Sequence, residues 1–233
     1  MRIIPRIDIK NNYVIKGINL EGLRKIGDPK VIIENYTNDN ADEILIMDSV
    51  ASLYGRNNLF NFIKEITKEV FIPITLGGGI KSLKDIEAAL NSGADKIAIN
   101  SGAIENKNLI YQASKIFGSS TILSSVEAKK IDQNKWEPYI NCGREKTGLN
   151  LIEWIKKIQD DGCGEIILTS IDKEGTEDGF DIDLIQSVYK MIYKPLILSG
   201  GCGSIEDINY IKKNFEDCSV SIASIIHYKK HKI

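Results

Sequence analysis

The chain repeats itself, and that limits its fold more than any other feature. Residues 72–86 line up with residues 194–208 at an offset of 122. The match runs from Ile72-Pro73-Ile74-Thr75-Leu76-Gly77-Gly78-Gly79 onto Lys194-Pro195-Leu196-Ile197-Leu198-Ser199-Gly200-Gly201, and continues through Ser82 onto Ser204 and Asp85-Ile86 onto Asp207-Ile208. Glu43-Ile44-Leu45-Ile46 matches Glu165-Ile166-Ile167-Leu168 at the same offset, while Asn100-Ser101 and Ala223-Ser224 correspond at an offset of 123. A repeat of this length carries several strand and helix units, so the chain reads as one half-structure written twice. Any site in one half then predicts a counterpart in the other.

Inside each half, short apolar β-rich runs alternate with segments of helical period. The runs are Ile3–Asp8, Glu43–Asp48, Ile72–Leu76, Lys96–Ile99, Ile122–Val126, Glu165–Leu168, Pro195–Leu198 and Ser219–Ile222. Helices are predicted to begin near Pro29, Leu59, Ser82, Lys107, Asn150, Asp181 and Ser204, and Ser82 and Ser204 stand where an N-cap belongs. Eight strand and helix units close into a ring, so the expected fold is an α/β (β/α)8 TIM barrel built from two similar half-barrels, with residues 1–233 as its single domain. The eighth helix is nearly missing. Two long loops are expected, Ile9–Asp28 and Ala128–Thr147, on opposite sides of the barrel mouth.

Composition removes several function classes. With 42% hydrophobic and 27% charged residues over 233 positions, the chain can bury a large core. The formal net charge of -2 gives no global field for nucleic acid or an anionic membrane, so an anion site has to be local. Arg2, Arg6 and Asp8 interrupt the place a signal peptide would need to be apolar, and no run reaches the length of a membrane span, which predicts a cytoplasmic protein. Cys142, Cys163, Cys202 and Cys218 form no metal-ligand spacing, and only His227 and His231 could join them. Neither a metal nor a cofactor is expected, and the four cysteines read as reduced packing residues.

Gly77-Gly78-Gly79 and Ser199-Gly200-Gly201 each follow a buried strand and precede a helix start. Bare backbone N–H groups at that place can approach an anion closely, and in a barrel it is where phosphate binds. Asn100-Ser101 and Ala223-Ser224, ending the next strand of each half, add further donors. Two matched cradles imply a substrate with a phosphate at each end, stretched across the mouth. Asp8 closes the first strand and Glu127 the fifth, facing each other between the cradles, which suits a general acid and base. Asp48 and the Thr169–Thr176 loop, with Glu174 and Gly175, add polar groups on that face. Arg2, Glu43, Lys96 and Glu165 stand at strand starts on the opposite face, where two acids and two bases read as a salt-bridged plug in the barrel floor.

Arg2-Ile3-Ile4, Asp8-Ile9-Lys10, Val14-Ile15-Lys16-Gly17, Gly27-Asp28-Pro29, Gly77-Gly78-Gly79-Ile80, Gly93-Ala94-Asp95-Lys96, Gly164-Glu165-Ile166 and Leu168-Thr169-Ser170-Ile171-Asp172 together resemble the cyclase subunit, HisF, of imidazole glycerol phosphate synthase. The resemblance covers nearly the whole chain. It implies a barrel that takes ammonia from a separate HisH-like glutaminase subunit at its N-terminal face and passes it up the interior. The ammonia is added to a doubly phosphorylated ribulosyl aminoimidazole, which is cyclised and cleaved in histidine biosynthesis. By the same resemblance Asp8 becomes a catalytic acid/base and Lys16 a substrate-loop lysine. The Arg2, Glu43, Lys96 and Glu165 quartet becomes an ion-paired ammonia gate, and Asp95 a position near the glutaminase interface.

The sequence departs from the family's pattern in three places. Glu127 and Glu174 stand where the family has aspartate, and Arg6 replaces a small residue beside Asp8. Pro5-Arg6-Ile7-Asp8, Leu53-Tyr54-Gly55-Arg56-Asn57 and Val126-Glu127-Ala128 also resemble a paralogous branch, in which a similar barrel delivers ammonia for amidation of surface-polysaccharide or flagellar sugars. That branch is the alternative reading. The sister isomerase of the histidine pathway and a non-catalytic scaffold rank below both, because neither explains the floor quartet and the two cradles together.

Overall fold

Residues 1–49 and 59–228 of the chain are described in a computed structural model. Leu53–Asn57 and His231 lie outside them. Eight strands are parallel neighbours in a closed ring: β1 (Ile3–Lys10), β4 (Ile44–Asp48), β5 (Ile74–Gly77), β6 (Lys96–Ile99), β7 (Ile122–Asp132), β10 (Glu165–Ser170), β11 (Leu196–Ser199) and β12 (Cys218–Ile222). Pairing of β1 with β12 and of β7 with β10 closes the ring. This is the (β/α)8 barrel that the repeat predicts.

Each strand owes its place to period-2 alternation, which sends successive side chains to opposite faces. On β1, Ile7 and Ile9 pack outward against the helices, while Ile4, Arg6 and Asp8 point into the ring. The outer core joins strands to helices α1 (Pro29–Asn38), α2 (Leu59–Ile66), α3 (Leu83–Asn91), α5 (Leu109–Phe117), α6 (Leu151–Asp160), α7 (Ile182–Val188) and α8 (Ile205–Asn214). A separate inner cluster of Ile4, Leu45, Met47, Ala98, Leu123, Ile167 and Ile197 fills the barrel itself.

The repeat is visible down to dihedral angles. Ser82 caps α3 at φ -143 and ψ 163, and Ser204 caps α8 at φ -145 and ψ 164. Each closes a capping box with the aspartate three residues on, satisfying end donors from both sides. Short helices α4 (Ser101–Glu105) and α9 (Ser224–His227) follow the cradle positions of the two halves. The helix expected near Lys107 begins at Leu109, after α4.

The expectation of two long loops is corrected. After β1 the chain forms the antiparallel hairpin β2 (Tyr13–Ile18) and β3 (Glu21–Gly27), and after β7 it forms β8 (Lys135–Ile140) and β9 (Glu145–Lys146). Both hairpins extend a barrel strand above the mouth. Their edges pair with the strand below, so their backbone groups are satisfied without extra length of chain.

Candidate functional site

At the floor, the strand-start residues meet as a closed ring. Arg2 Nη1 donates to Glu43 Oε2 at 2.9 Å and Arg2 Nη2 to Glu165 Oε2 at 3.1 Å. Lys96 Nζ spans the same two carboxylates at 2.9 and 3.1 Å. Thr75 Oγ1 donates to the other oxygen of Glu43 at 2.5 Å, which orients the most buried member of the ring. Asp95 lies beside it on the exposed floor, where its Oδ2 accepts from the Ile74 backbone N–H at 2.8 Å. Directly above the ring comes the inner apolar cluster.

At the mouth, the two glycine turns adopt one conformation. Gly78 has φ 95 and Gly200 has φ 96, a left-handed region that favours glycine. A Cβ at Gly78 would also run into the Asp48 backbone, and one at Gly200 would come within 2.7 Å of the Ser170 carbonyl. Asp48 and Ser170 are themselves repeat counterparts, so each turn nests on the equivalent strand end of its half. Asn100 and Ala223 precede α4 and α9 without a side-chain cap, unlike Ser82 and Ser204, so neither helix start is covered by its own cap residue.

The two cradles differ in what lies over them. The first opens into a cleft shared by Asp48, Gly79, Asn100, Ser101, Asp8 and Glu127. The β8–β9 hairpin leans on it: Asn100 Nδ2 donates to the Tyr139 carbonyl at 3.2 Å and Ser101 Oγ accepts from Asn141 N–H at 3.0 Å. The second cradle gathers Ser199, Gly200, Gly201, Ala223 and Ser224, all buried, with a Glu174 carboxylate oxygen against Gly200. The β2–β3 hairpin leans on this side, with Asn19 N–H donating to the Glu174 carbonyl at 2.7 Å and Gly175 packed on Gly17.

Between the cradles sits a buried charge cluster. Arg6 Nε donates to Asp8 Oδ1 at 3.0 Å, and Arg6 Nη1 reaches Thr169 Oγ1 at 3.4 Å. Burial strips water from the guanidinium, and Asp8, Glu174 and Glu127 more than offset that loss, so its pKa lies above the ordinary arginine value. Lys16 Nζ donates to Glu174 Oε1 in a contact from which both side chains exclude water. Desolvation alone would lift the Glu174 carboxyl, but Lys16 and then Arg6 hold it below the usual carboxylate range. Glu127 is pushed the other way. Burial raises it to about 7, against the pull of Arg6, and its Oε2 has no hydrogen-bond partner among the described residues.

Comparison with known proteins bears on this arrangement. A family model described as "Histidine biosynthesis protein" matches residues 2–232. The HisF subunit of imidazole glycerol phosphate synthase from Helicobacter hepaticus is 47% identical over 232 residues, covering 100% of this chain and 92% of that one. The HisF of Legionella pneumophila is 47% identical over 209 residues, covering 90% of this chain and 99% of its own, and that of Wolinella succinogenes 44% over 230, covering 98% and 90%. The chain belongs to the HisF family. It is therefore a lyase-type cyclase subunit of histidine biosynthesis that works in a complex with a partner subunit, and the relatives favour this branch over the glycan-amidation alternative. No helix among the described residues is long and apolar enough to cross a membrane.

Within the HisF frame, several site features escaped the sequence. Lys16 and Glu174 were both singled out, but their pairing spans 158 positions and nothing local announces it. Arg144, on the Asn141-Cys142-Gly143-Arg144 turn after β8, lines a second cleft together with Arg6, Lys16 and Asp8. His227 has a structural setting that its sequence neighbours do not announce. It is buried, its Nδ1 lies 2.6 Å from Tyr36 Oη, and burial followed by Lys16 lowers its pKa to about 4. The four cysteines form no disulfide, and burial pushes the Cys163 and Cys202 thiols up to about 12.

Proposed function

We propose that this barrel receives ammonia from a HisH-like glutaminase docked on its N-terminal floor, in the cytoplasm. The Arg2, Glu43, Lys96 and Glu165 ring, with Asp95 at the interface, admits ammonia to the interior. The substrate is the doubly phosphorylated ribulosyl aminoimidazole of the family, and ammonia addition is followed by cyclisation and cleavage. One phosphate lies in the cradle of Gly78, Gly79, Asn100 and Ser101. The other lies in the cradle of Gly175, Ser199, Gly200, Gly201, Ala223 and Ser224, with Lys16, Asp48, Thr169 and Glu174 bordering the middle. All these residues belong to one catalytic domain, residues 1–233.

Asp8 and Glu127 transfer the protons. Proton transfer by a placed pair contributes roughly 100-fold to 10,000-fold to a rate, provided that one member is protonated while the other is not. The observation that carries the reading is the matched pair of φ-positive glycine turns on opposite sides of two inward carboxylates. A free phosphate would need one cradle, and a scaffold none. The test supplies the purified barrel with ammonium salt and the ribulosyl intermediate and follows the decay of its absorbance. Turnover that is lost in Asp8→Asn and in Glu127→Gln supports the reading, and absence of turnover at saturating ammonia refutes it.

A further inference from the structure

We propose that Arg6 is a positioning residue that gives the two inward carboxylates unlike roles, fixing Asp8 as proton acceptor and leaving Glu127 as proton donor. The inference deepens the acid/base reading above and rests on it. It starts from geometry. Arg6 and Asp8 are two apart on β1, so both point into the ring, and Nε meets Oδ1 at 3.0 Å. The far end of the guanidinium is held by Thr169 Oγ1 on β10 at 3.4 Å, which stretches the side chain across the interior above the apolar cluster. Tied at both ends and 4% exposed, it has no room to serve Asp8 and Glu127 alike.

Glu127 comes from β7 on the other side. A backbone N–H of Gly143 engages its carboxyl, while Oε2 finds no partner among the described residues. A full negative charge there would be buried without a hydrogen bond on one oxygen, which is costly. The charges around it make the same point. Arg6 and Asp8 from β1 and Glu174 from the loop after β10 act on it directly; Asp48 from β4 and Lys81 line the same cleft, and Lys16 from β2, His227 from α9 and Arg144 from the turn after β8 lie against Arg6, Asp8 or Glu174. Arg6 is already paired with Asp8, and Lys16 with Glu174. Ionising Glu127 would therefore add a buried charge with no ion-pair partner of its own among the described residues. Burial raises Glu127 to about 7, against the pull of Arg6.

In the reaction, Asp8 takes the proton that the substrate loses and Glu127 supplies the proton that its departing group gains. One proton enters the pair and one leaves, and transfer between the two through the substrate or a water restores the starting state. With a small neutral residue at position 6, the two carboxyls would share one proton with no fixed owner.

The experiment compares wild type, Arg6→Lys and Arg6→Gln in the complex with the glutaminase partner, using glutamine as the nitrogen source so that ammonia titration does not enter. Folding is checked by circular dichroism, and the Asp8 and Glu127 carboxyls are followed by carbon-13 NMR. Wild-type activity is expected to fall as the pH rises past about 7. Arg6→Gln should lose roughly 100-fold in kcat, as misplaced catalytic groups do, with KM little changed. Its alkaline limb should move up, because Arg6 is the cation that holds Glu127 down. Arg6→Lys should recover part of kcat and shift the limb back. A folded Arg6→Gln with the wild-type pH profile and the same loss at every pH overturns the inference, as does an Arg6→Lys no better than Arg6→Gln. Full activity in Asp8→Asn and Glu127→Gln would instead refute the acid/base reading itself, whatever Arg6 does.

Discussion

Replacing Glu174 by glutamine should unfold this protein far more readily than any surface change of equal size. The side chains of Lys16 and Glu174 keep 2% and 4% of their exposure. Removing the charge of one partner leaves an ammonium buried with an amide for company, and breaking a pair this deep costs about 3–5 kcal/mol. For a chain of this length each kcal/mol moves Tm by about 2–4 °C, so Glu174→Gln should melt roughly 6–20 °C lower. Replacing both partners by apolar residues, Lys16→Met with Glu174→Leu, should recover most of the loss, because neither charge is then stranded. The exposed pair Lys30–Glu65, at 48% and 62%, is the internal comparison: Lys30→Ala should cost less than about 1 kcal/mol and respond to salt. The pH dependence has a definite sign. The folded Glu174 carboxyl lies below its ordinary value, so its contribution is complete above about pH 4.3 and is lost as the pH falls through the folded pKa. Urea unfolding of wild type and Glu174→Gln should therefore differ most at neutral pH and converge in acid. A Glu174→Gln protein within about 1 kcal/mol of wild type at pH 7 would refute the claim that this pair is buried away from water.

Two other measurements probe the ends of the barrel. Lys96→Ala should cut glutamine-dependent activity of the complex far more than activity with added ammonium salt, because it opens the floor ring without touching the mouth; equal losses would make Lys96 structural. His227 lies with its pKa lowered to about 4, so the fold accepts only the neutral ring. Its stability contribution is full above the ordinary histidine value near 6.5 and declines by up to about 1.4 kcal/mol per pH unit as the pH drops towards 4. His227→Asn should flatten that decline in urea unfolding between pH 4 and 7, and an unchanged slope would count against a buried neutral ring.

The paired glycine turns and the floor ring were legible because each is written locally. Glycine after a buried strand, serine three residues before aspartate, and a charge at a strand start keep their meaning within a few residues, and the repeat doubles each signal. The hairpins were missed although their turns are also local. Asn11 at φ 56 and Asn134 at φ 54 sit in two-residue turns between β-rich runs, a strong hairpin signal that the length of the connections disguised. Charge pairing at the mouth was a different kind of omission. Lys16 meets Glu174 and Arg6 meets Thr169 across separations of 158 and 163 positions, which only the closed ring brings together. That closure also changes how the departures from the family pattern are read. In sequence, Arg6, Glu127 and Glu174 are three scattered differences. In the barrel they are neighbours, since the field on the Arg6 guanidinium comes from Asp8, Glu174 and Glu127. An inward arginine needs carboxylate around it in a dry interior, and glutamate reaches about one methylene further than aspartate to supply it. Altering any one of the three alone should therefore disturb the field that the other two face.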